Sequence, residues 1–321
     1  MRLLRRKPVG AVFGLAGLIL VGCAQPPPPL PPSPIAGPLA AQIESSLMQG
    51  ERWLTRGDLD RAGEAYEEAR RTAESLDDVK GLIDALNGLG QVALRRGSPS
   101  QAISLHGQAV ALAQQLGEPT FLIASLTALG VADHQGGRAE EAEPLYHRAL
   151  EIAQHREDRS AEAILLNNLG LARQSMGDER QAEQLFRQAL ALNQATENAG
   201  AAASNHVNLG LLAEAHRQYE AAEREYEQAL DLDKAGERRS EIAADLLRLG
   251  RLTDLRGTHD RAVAYFERAY RSYLAQGDAT GAESALIRAV ECAEKAGRLV
   301  DVARLKKELS RHLSSTEGRR P

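Results

Sequence analysis

The chain has 321 residues, a formal net charge of −5, 43% hydrophobic residues and only 4% aromatic residues. No region is basic enough to hold nucleic acid by bulk electrostatics, so no nucleic-acid partner is expected. The abundance of Ala, Leu, Glu, Arg and Gln favours an all-helical chain over a mixed sheet protein.

The first residues have the form of a targeting segment. Arg2, Arg5, Arg6 and Lys7 precede an apolar run from Val9 to Gly22. That run is too short to span a bilayer, which needs about 20 residues, and reads as a secretory signal over 1–22. It ends in Leu20-Val21-Gly22-Cys23, which resembles the bacterial lipobox. The resemblance implies cleavage before Cys23 and acylation of its sulfur and amine. Each buried methylene of an acyl chain contributes about 0.8 kcal/mol, so several chains would anchor firmly where one would not. An uncleaved signal anchor or a cleaved soluble periplasmic protein is the alternative. Ala24 is not the aspartate that such lipoproteins use for inner-membrane retention, which implies the outer membrane, facing the periplasm. Residues 23–38 then form a linker, with prolines dense from Pro26 to Pro38. Such a run favours polyproline II, a stiff spacer of about 3.1 Å per residue; a ligand for a proline-recognition domain is the sharper alternative.

From residue 39 a pattern recurs every forty positions. Leu-Gly falls at Leu89-Gly90, Leu129-Gly130, Leu169-Gly170, Leu209-Gly210 and Leu249-Gly250. Two alanine columns hold Ala62, Ala102, Ala142, Ala182, Ala222, Ala262 and, seven residues on, Ala69, Ala109, Ala149, Ala189, Ala229, Ala269. Between them stand Tyr66, His106, Tyr146, Phe186, Tyr226 and Phe266. Leu86, Leu89, Gly90 and Ala93 lie on one helical stripe, and Ala102, His106 and Ala109 on a second, so each unit is a pair of helices. The small residues let two helices cross closely and the ring fills the gap. Gly57, Gly97, Gly137, Gly177 and Gly257 mark the turn inside each pair, with Arg217 the exception, and Asp58, Ser98, Asp178 and Thr258 are placed to cap the helix that follows.

These columns resemble the tetratricopeptide repeat family. The forty-residue period is similar to that of kinesin light chains, most closely over Ala142 to Ile152. The resemblance implies an all-α, right-handed superhelical solenoid of six helix pairs over 39–278. First helices are expected to begin near Leu39, Val79, Pro119, Arg159, Ala199 and Arg239. A degenerate pair over 279–313 carries Val290, Val302 and Lys306 at the Gly, Ala and aromatic positions, which suits a cap. The tail 314–321 has nothing to pack against and is expected to be disordered.

Chemistry is mostly absent from the sequence. Cys292 shares a column with Val92, Ala132, Ala172, Leu212 and Leu252 and reads as buried and inert. The eight histidines show no metal-ligand spacing. Gly88-Leu89-Gly90 imitates a dinucleotide turn but lies inside a repeating helix. The chain is therefore expected to be no enzyme and to need no cofactor or metal.

What remains is a surface. In the family resembled, the concave wall is lined by first helices and takes peptides or a partner's helix. Carried over, this implies a groove made by Asn87, Gln91, Thr127, Asn167, Asn168, Asn208, Arg248, Arg251 and Arg288, with Val131, Leu171 and Leu211 as an apolar floor. A ladder of carboxamides can clamp a peptide main chain, and the arginines suit a carboxylate. The structural alternative is that the asparagines bond between repeats and that the arginines pair with Asp245, Asp254 or Glu291. The function that follows is a lipid-anchored scaffold for protein or peptide partners in a bacterial envelope complex. A self-associating structural lipoprotein, and more remotely an enzyme or carbohydrate-binding solenoid, are the alternatives.

Overall fold

The computed structural model describes residues 37–317, and side chains as far as residue 312. Cys23, the apolar run before it and the linker up to residue 36 lie outside the described residues. All regular structure among the described residues is helical. The first pair is α1 (Pro38–Thr55) with α2 (Leu59–Ser75), followed by α3 (Val79–Arg95) with α4 (Pro99–Leu116) and α5 (Pro119–Gln135) with α6 (Ala139–His155). Then come α7 (Arg159–Ser175) with α8 (Glu179–Ala195), α9 (Ala199–Ala215) with α10 (Tyr219–Ala235) and α11 (Arg239–Leu255) with α12 (His259–Gln276). The last pair is α13 (Ala279–Lys295) with α14 (Leu299–Glu317).

The turns repeat twice as often as the pairs. A residue with left-handed backbone stands at Gly57, Asp77, Gly97, Gly117, Gly137, Glu157 and Gly177, then at Glu197, Arg217, Glu237, Gly257, Gly277 and Gly297. The connection between pairs is thus built like the connection within a pair. Where it is not glycine it is always charged and so faces water, at a steric cost of about 1 kcal/mol each. The caps are divided. Asp58 and Asp178 accept the N–H groups of Arg61 and Gln181, and Asp78, Asp158, Asn198 and Asp278 do the same between pairs. Ser98 and Thr258 do not cap, contrary to their placement in the sequence. Ser98 makes no side-chain cap bond, and Thr258 Oγ1 turns back to donate to Thr253 O at 2.9 Å.

The marker columns sit on the seams of the modules. The ring of each aromatic residue packs against the glycine of its own first helix: a Cβ built at Gly130, Gly170 or Gly210 would stand 2.5 Å from Tyr146, Phe186 or Tyr226. The two alanine columns are fully buried where the second helix meets its neighbours. First helices of successive pairs touch (α1 with α3, α3 with α5, α5 with α7), a closeness that no two successive second helices match. First helices therefore line the inner side of the stack.

The last pair caps the core as expected. Val290 and Leu305 are buried, whereas Lys306, in the aromatic column, is exposed and pairs with Glu294 at 2.6 Å. The helix continues further than the sequence suggested: 314–317, assigned to the tail, belong to α14. They hold good helix-forming neighbours on their N-terminal side and meet no proline or glycine until Gly318.

Candidate functional site

The residues chosen for the groove stand on first helices, and the structure divides them. Gln91, Arg251 and Arg288 are exposed, and Val131, Leu211 and Arg248 are half-buried. Asn168, Leu171 and Asn208 are only 6%, 5% and 8% exposed. They lie behind the wall instead of on it, because the neighbouring helices close over that stripe.

The asparagines bond chiefly to one another across repeats. Asn167 Oδ1 accepts from Asn205 Nδ2 at 3.0 Å and from Asn208 Nδ2 at 2.9 Å, while Asn205 Oδ1 accepts from Asn193 Nδ2 at 2.7 Å. Asn87 Nδ2 donates to Ser125 Oγ at 3.1 Å, and its Oδ1 meets His106 Nδ1 at 3.0 Å. Thr127 Oγ1 donates to its own helix at Ile123 O, 2.7 Å away. Asn167 is thus the node of a joint between α7 and α9. Asn167→Ala should lower stability by about 1–3 kcal/mol, because two buried donors lose their acceptor. Urea unfolding measures this; an unchanged midpoint would return Asn167 to the role of a free groove contact.

The arginines are paired, but unequally. Arg248 Nη1 meets Asp245 at 2.7 Å, Arg251 Nη2 meets Glu214 at 3.2 Å and Arg288 Nη1 meets Glu291 at 3.2 Å. Glu214 also accepts the hydroxyl of Tyr226 at 2.8 Å. Asp254 instead takes Lys295 and His259. Exposed pairs such as those of Arg251 and Arg288 contribute only about 0–1 kcal/mol, so either guanidinium can exchange its partner for an incoming carboxylate. Arg248 instead faces an acid, Asp245, that is fully buried.

Three polar features of the joints were not read from the sequence. His206 Nδ1 meets Glu225 Oε2 at 2.7 Å, where neighbouring repeats place leucines such as Leu166 and Leu185. Asp233 and Asp245 take the positions that Asn193 and Asn205 hold one repeat earlier. Asp233 binds Arg238, whose Nε lies at 2.8 Å, and Asp245 Oδ2 finds no donor. Burial, partly offset by Arg248, pushes the Asp245 carboxyl up to about 8; the adjacent Asp233 adds to the rise, since the two acids can bond only through a shared proton. On the inner wall, Asp84 is open to water yet enclosed by protein, which pushes its carboxyl up to about 7, with Asp78 contributing. The signal for the first two was the pairing of departures: His206 and Glu225 both break their columns in one repeat, and Asp233 and Asp245 follow Asn193 and Asn205 as facing polar pairs in two successive repeats.

Cys292 is buried as expected, and burial pushes its thiol up to about 12, with the Asp254 carboxylate adding to the effect, which leaves it unreactive at neutral pH. Among the described residues no group of three or more His, Cys, Asp and Glu side chains is placed to hold a metal, and no helix is long and apolar enough to cross a membrane.

Comparison with known proteins agrees with this architecture. Residues 54–115 and 121–195 match the tetratricopeptide repeat in one form, and residues 203–235 match it in another; together they make up more than half of the chain. No curated protein sequence matches. Among solved structures, a Rap protein complexed with Competence and Sporulation Factor shares 16% identity at a TM-score of 0.62, covering 87% of this chain and 77% of its own. PilF of Pseudomonas aeruginosa shares 22% identity at a TM-score of 0.50, over 73% of this chain and 93% of its own. Repeats of a putative kinesin light chain from Podosopora anserina share 19% identity at a TM-score of 0.51, over 62% of this chain and 97% of their own. At these identities the likeness is one of fold, and it includes the kinesin-light-chain form of the repeat.

Proposed function

The chain belongs to the tetratricopeptide repeat family, and we propose that it is a membrane-anchored scaffold that binds protein partners on its inner wall within a bacterial envelope complex. The observation that carries the reading is the wall itself. Seven first helices present a face on which side chains change from repeat to repeat while the glycine, alanine and ring columns behind it recur. A surface that varies over a fixed frame suits recognition. Of the expected groove residues, the exposed Gln91, Arg251 and Arg288 are available to a partner, with the half-buried Val131 and Leu211 beside them. The two arginines favour an acidic segment at the C-terminal end of the wall. A relative by fold, the Rap protein, is complexed with Competence and Sporulation Factor.

Anchoring rests on the sequence around Cys23 alone. With Cys23→Ala, the protein should leave the outer-membrane fraction for the soluble or inner-membrane fraction; unchanged fractionation would remove the lipid anchor from this reading. The scaffold is tested by affinity purification from detergent-solubilised membranes with wild type and with Arg251→Glu plus Arg288→Glu. Partners that co-purify with both alike would place the contact elsewhere.

A further inference from the structure

The outer face carries a vacancy that the protein fills for itself elsewhere. Near the end of the stack, Glu223 on α10 points into the notch between successive second helices, where Arg256 Nη1 and Arg261 Nη2 receive its carboxylate, the latter at 2.5 Å. Arg256 Nη2 also binds Glu220 at 2.8 Å. Four repeats earlier the same positions hold Gly63, Arg96, Gln101 and Asp60. The donors remain: Arg96 Nη2 binds Asp60 at 2.6 Å, as Arg256 binds Glu220. The carboxylate between them is missing, because residue 63 is glycine.

The space left is real and its donor points into it. A depression of about 720 Å³ opens between α2 and α4, with Gly63, Arg96 and Gln101 in its lining. Its floor is apolar, from Leu86, Leu89 and Val92 of α3 and Leu105 of α4. A Cβ built at Gly63 would stand 3.6 Å from Arg96 Nη2, 3.8 Å from Val92 Cγ1 and 3.9 Å from Arg96 Nη1. Nη2 already donates to Leu59 O at 3.1 Å and to Asp60, so Nη1 is the donor left for the notch, the atom that in Arg256 receives Glu223. The guanidinium is therefore aimed at the place a side chain would leave from, over an apolar bed.

We infer that this outer notch is a docking site for a segment of a partner protein that presents one carboxylate side chain flanked by apolar ones, supplying in trans what Glu223 supplies in cis. The notch can take one carboxylate only: of its two arginines Arg70 is already held by Glu67 and Glu74, and Gln101 replaces the second arginine of the filled notch. Asp60, Glu64 and Glu67 on the rim repel a strongly acidic segment, while the floor selects apolar neighbours. The site lies on the opposite side of the stack from the inner wall, so it stands or falls separately from the scaffold reading given above.

The test uses the full chain and the acetylated, amidated peptide Leu-Glu-Leu, with Leu-Gln-Leu and sodium acetate as comparison probes. Side-chain NMR follows Arg96 Nε–H and the methyls of Leu89 and Val92. Leu-Glu-Leu should shift all three in a saturable way at millimolar concentration, and Leu-Gln-Leu should bind at least tenfold more weakly. Gly63→Glu should rebuild the internal pair, raise the melting temperature and abolish the peptide shifts, while Gly63→Ala should fold normally and retain them. Equal shifts from both peptides, persistence of the shifts in Gly63→Glu, or equal occupancy by acetate alone would each overturn the assignment.

Discussion

Gly170→Ala should destabilise the protein, although helix propensity alone predicts a gain of up to about 1 kcal/mol. The new Cβ would stand 2.5 Å from Phe186 Cε1 and 2.7 Å from Cδ1, and the ring has no room to retreat because Phe186 is fully buried between neighbouring modules. Overpacking of this kind costs about 1–3 kcal/mol, so the steric term decides the sign. Gly107 supplies the control: it lies within a helix, and a Cβ there meets nothing within 4 Å, so Gly107→Ala should be stabilising. Adding Phe186→Leu to Gly170→Ala should recover much of the loss through a favourable coupling term. Equilibrium urea unfolding of the set reads all of these; a stabilised Gly170→Ala would mean that the ring does not seal the seam.

Asp245→Asn should stabilise the protein above neutral pH, on the order of 1–3 kcal/mol, the usual cost of a buried polar group without its bond. In the folded chain the Asp245 carboxyl titrates near 8, raised first by burial, against about 3.9 in an unfolded chain. Between these values the folded state holds the extra proton, so stability is greatest below the unfolded value and falls as pH rises toward 8, levelling beyond it. An amide at 245 would bond to Asp233 without needing a proton, much as Asn205 bonds to Asn193 one repeat earlier. The loss of charge opposite Arg248 offsets part of the gain, since that arginine faces the same carboxylate. Melting temperature against pH from 5 to 9 should slope downward in the wild type and less steeply in the variant, where the raised Asp84 carboxyl still contributes. A wild-type curve that rises over this range would show that Asp245 is ionised and satisfied.

The architecture was legible because it repeats. Val79, Pro119, Arg159, Ala199 and Arg239 begin their helices in the structure as in the sequence, since cap, turn and seam recur in step and each confirms the others. The surface was harder to read. Asn167, Asn168 and Asn208 look alike as residues, yet one is a node, one is buried and one is a donor to the node. Which of these a carboxamide becomes depends on Asn193 and Asn205, which for Asn167 and Asn168 stand on other helices. The arginines were read half correctly. Arg248 and Arg288 pair with the acids foreseen as the structural alternative, Asp245 and Glu291, but Arg251 reaches to Glu214 on the preceding first helix. Gly63 escaped notice because an absent side chain leaves no motif, and only comparison with Glu223 gives it meaning.

The left-handed residue that returns at every twentieth position gives every junction, within a pair or between pairs, the same local turn. A duplication or deletion of one forty-residue block in the gene would therefore splice without a mismatched junction. Between the first module and the terminal cap, length is thus a freely adjustable quantity for evolution. What descent cannot alter so cheaply is the order of the blocks, because that order fixes which side chains stand beside which along both faces.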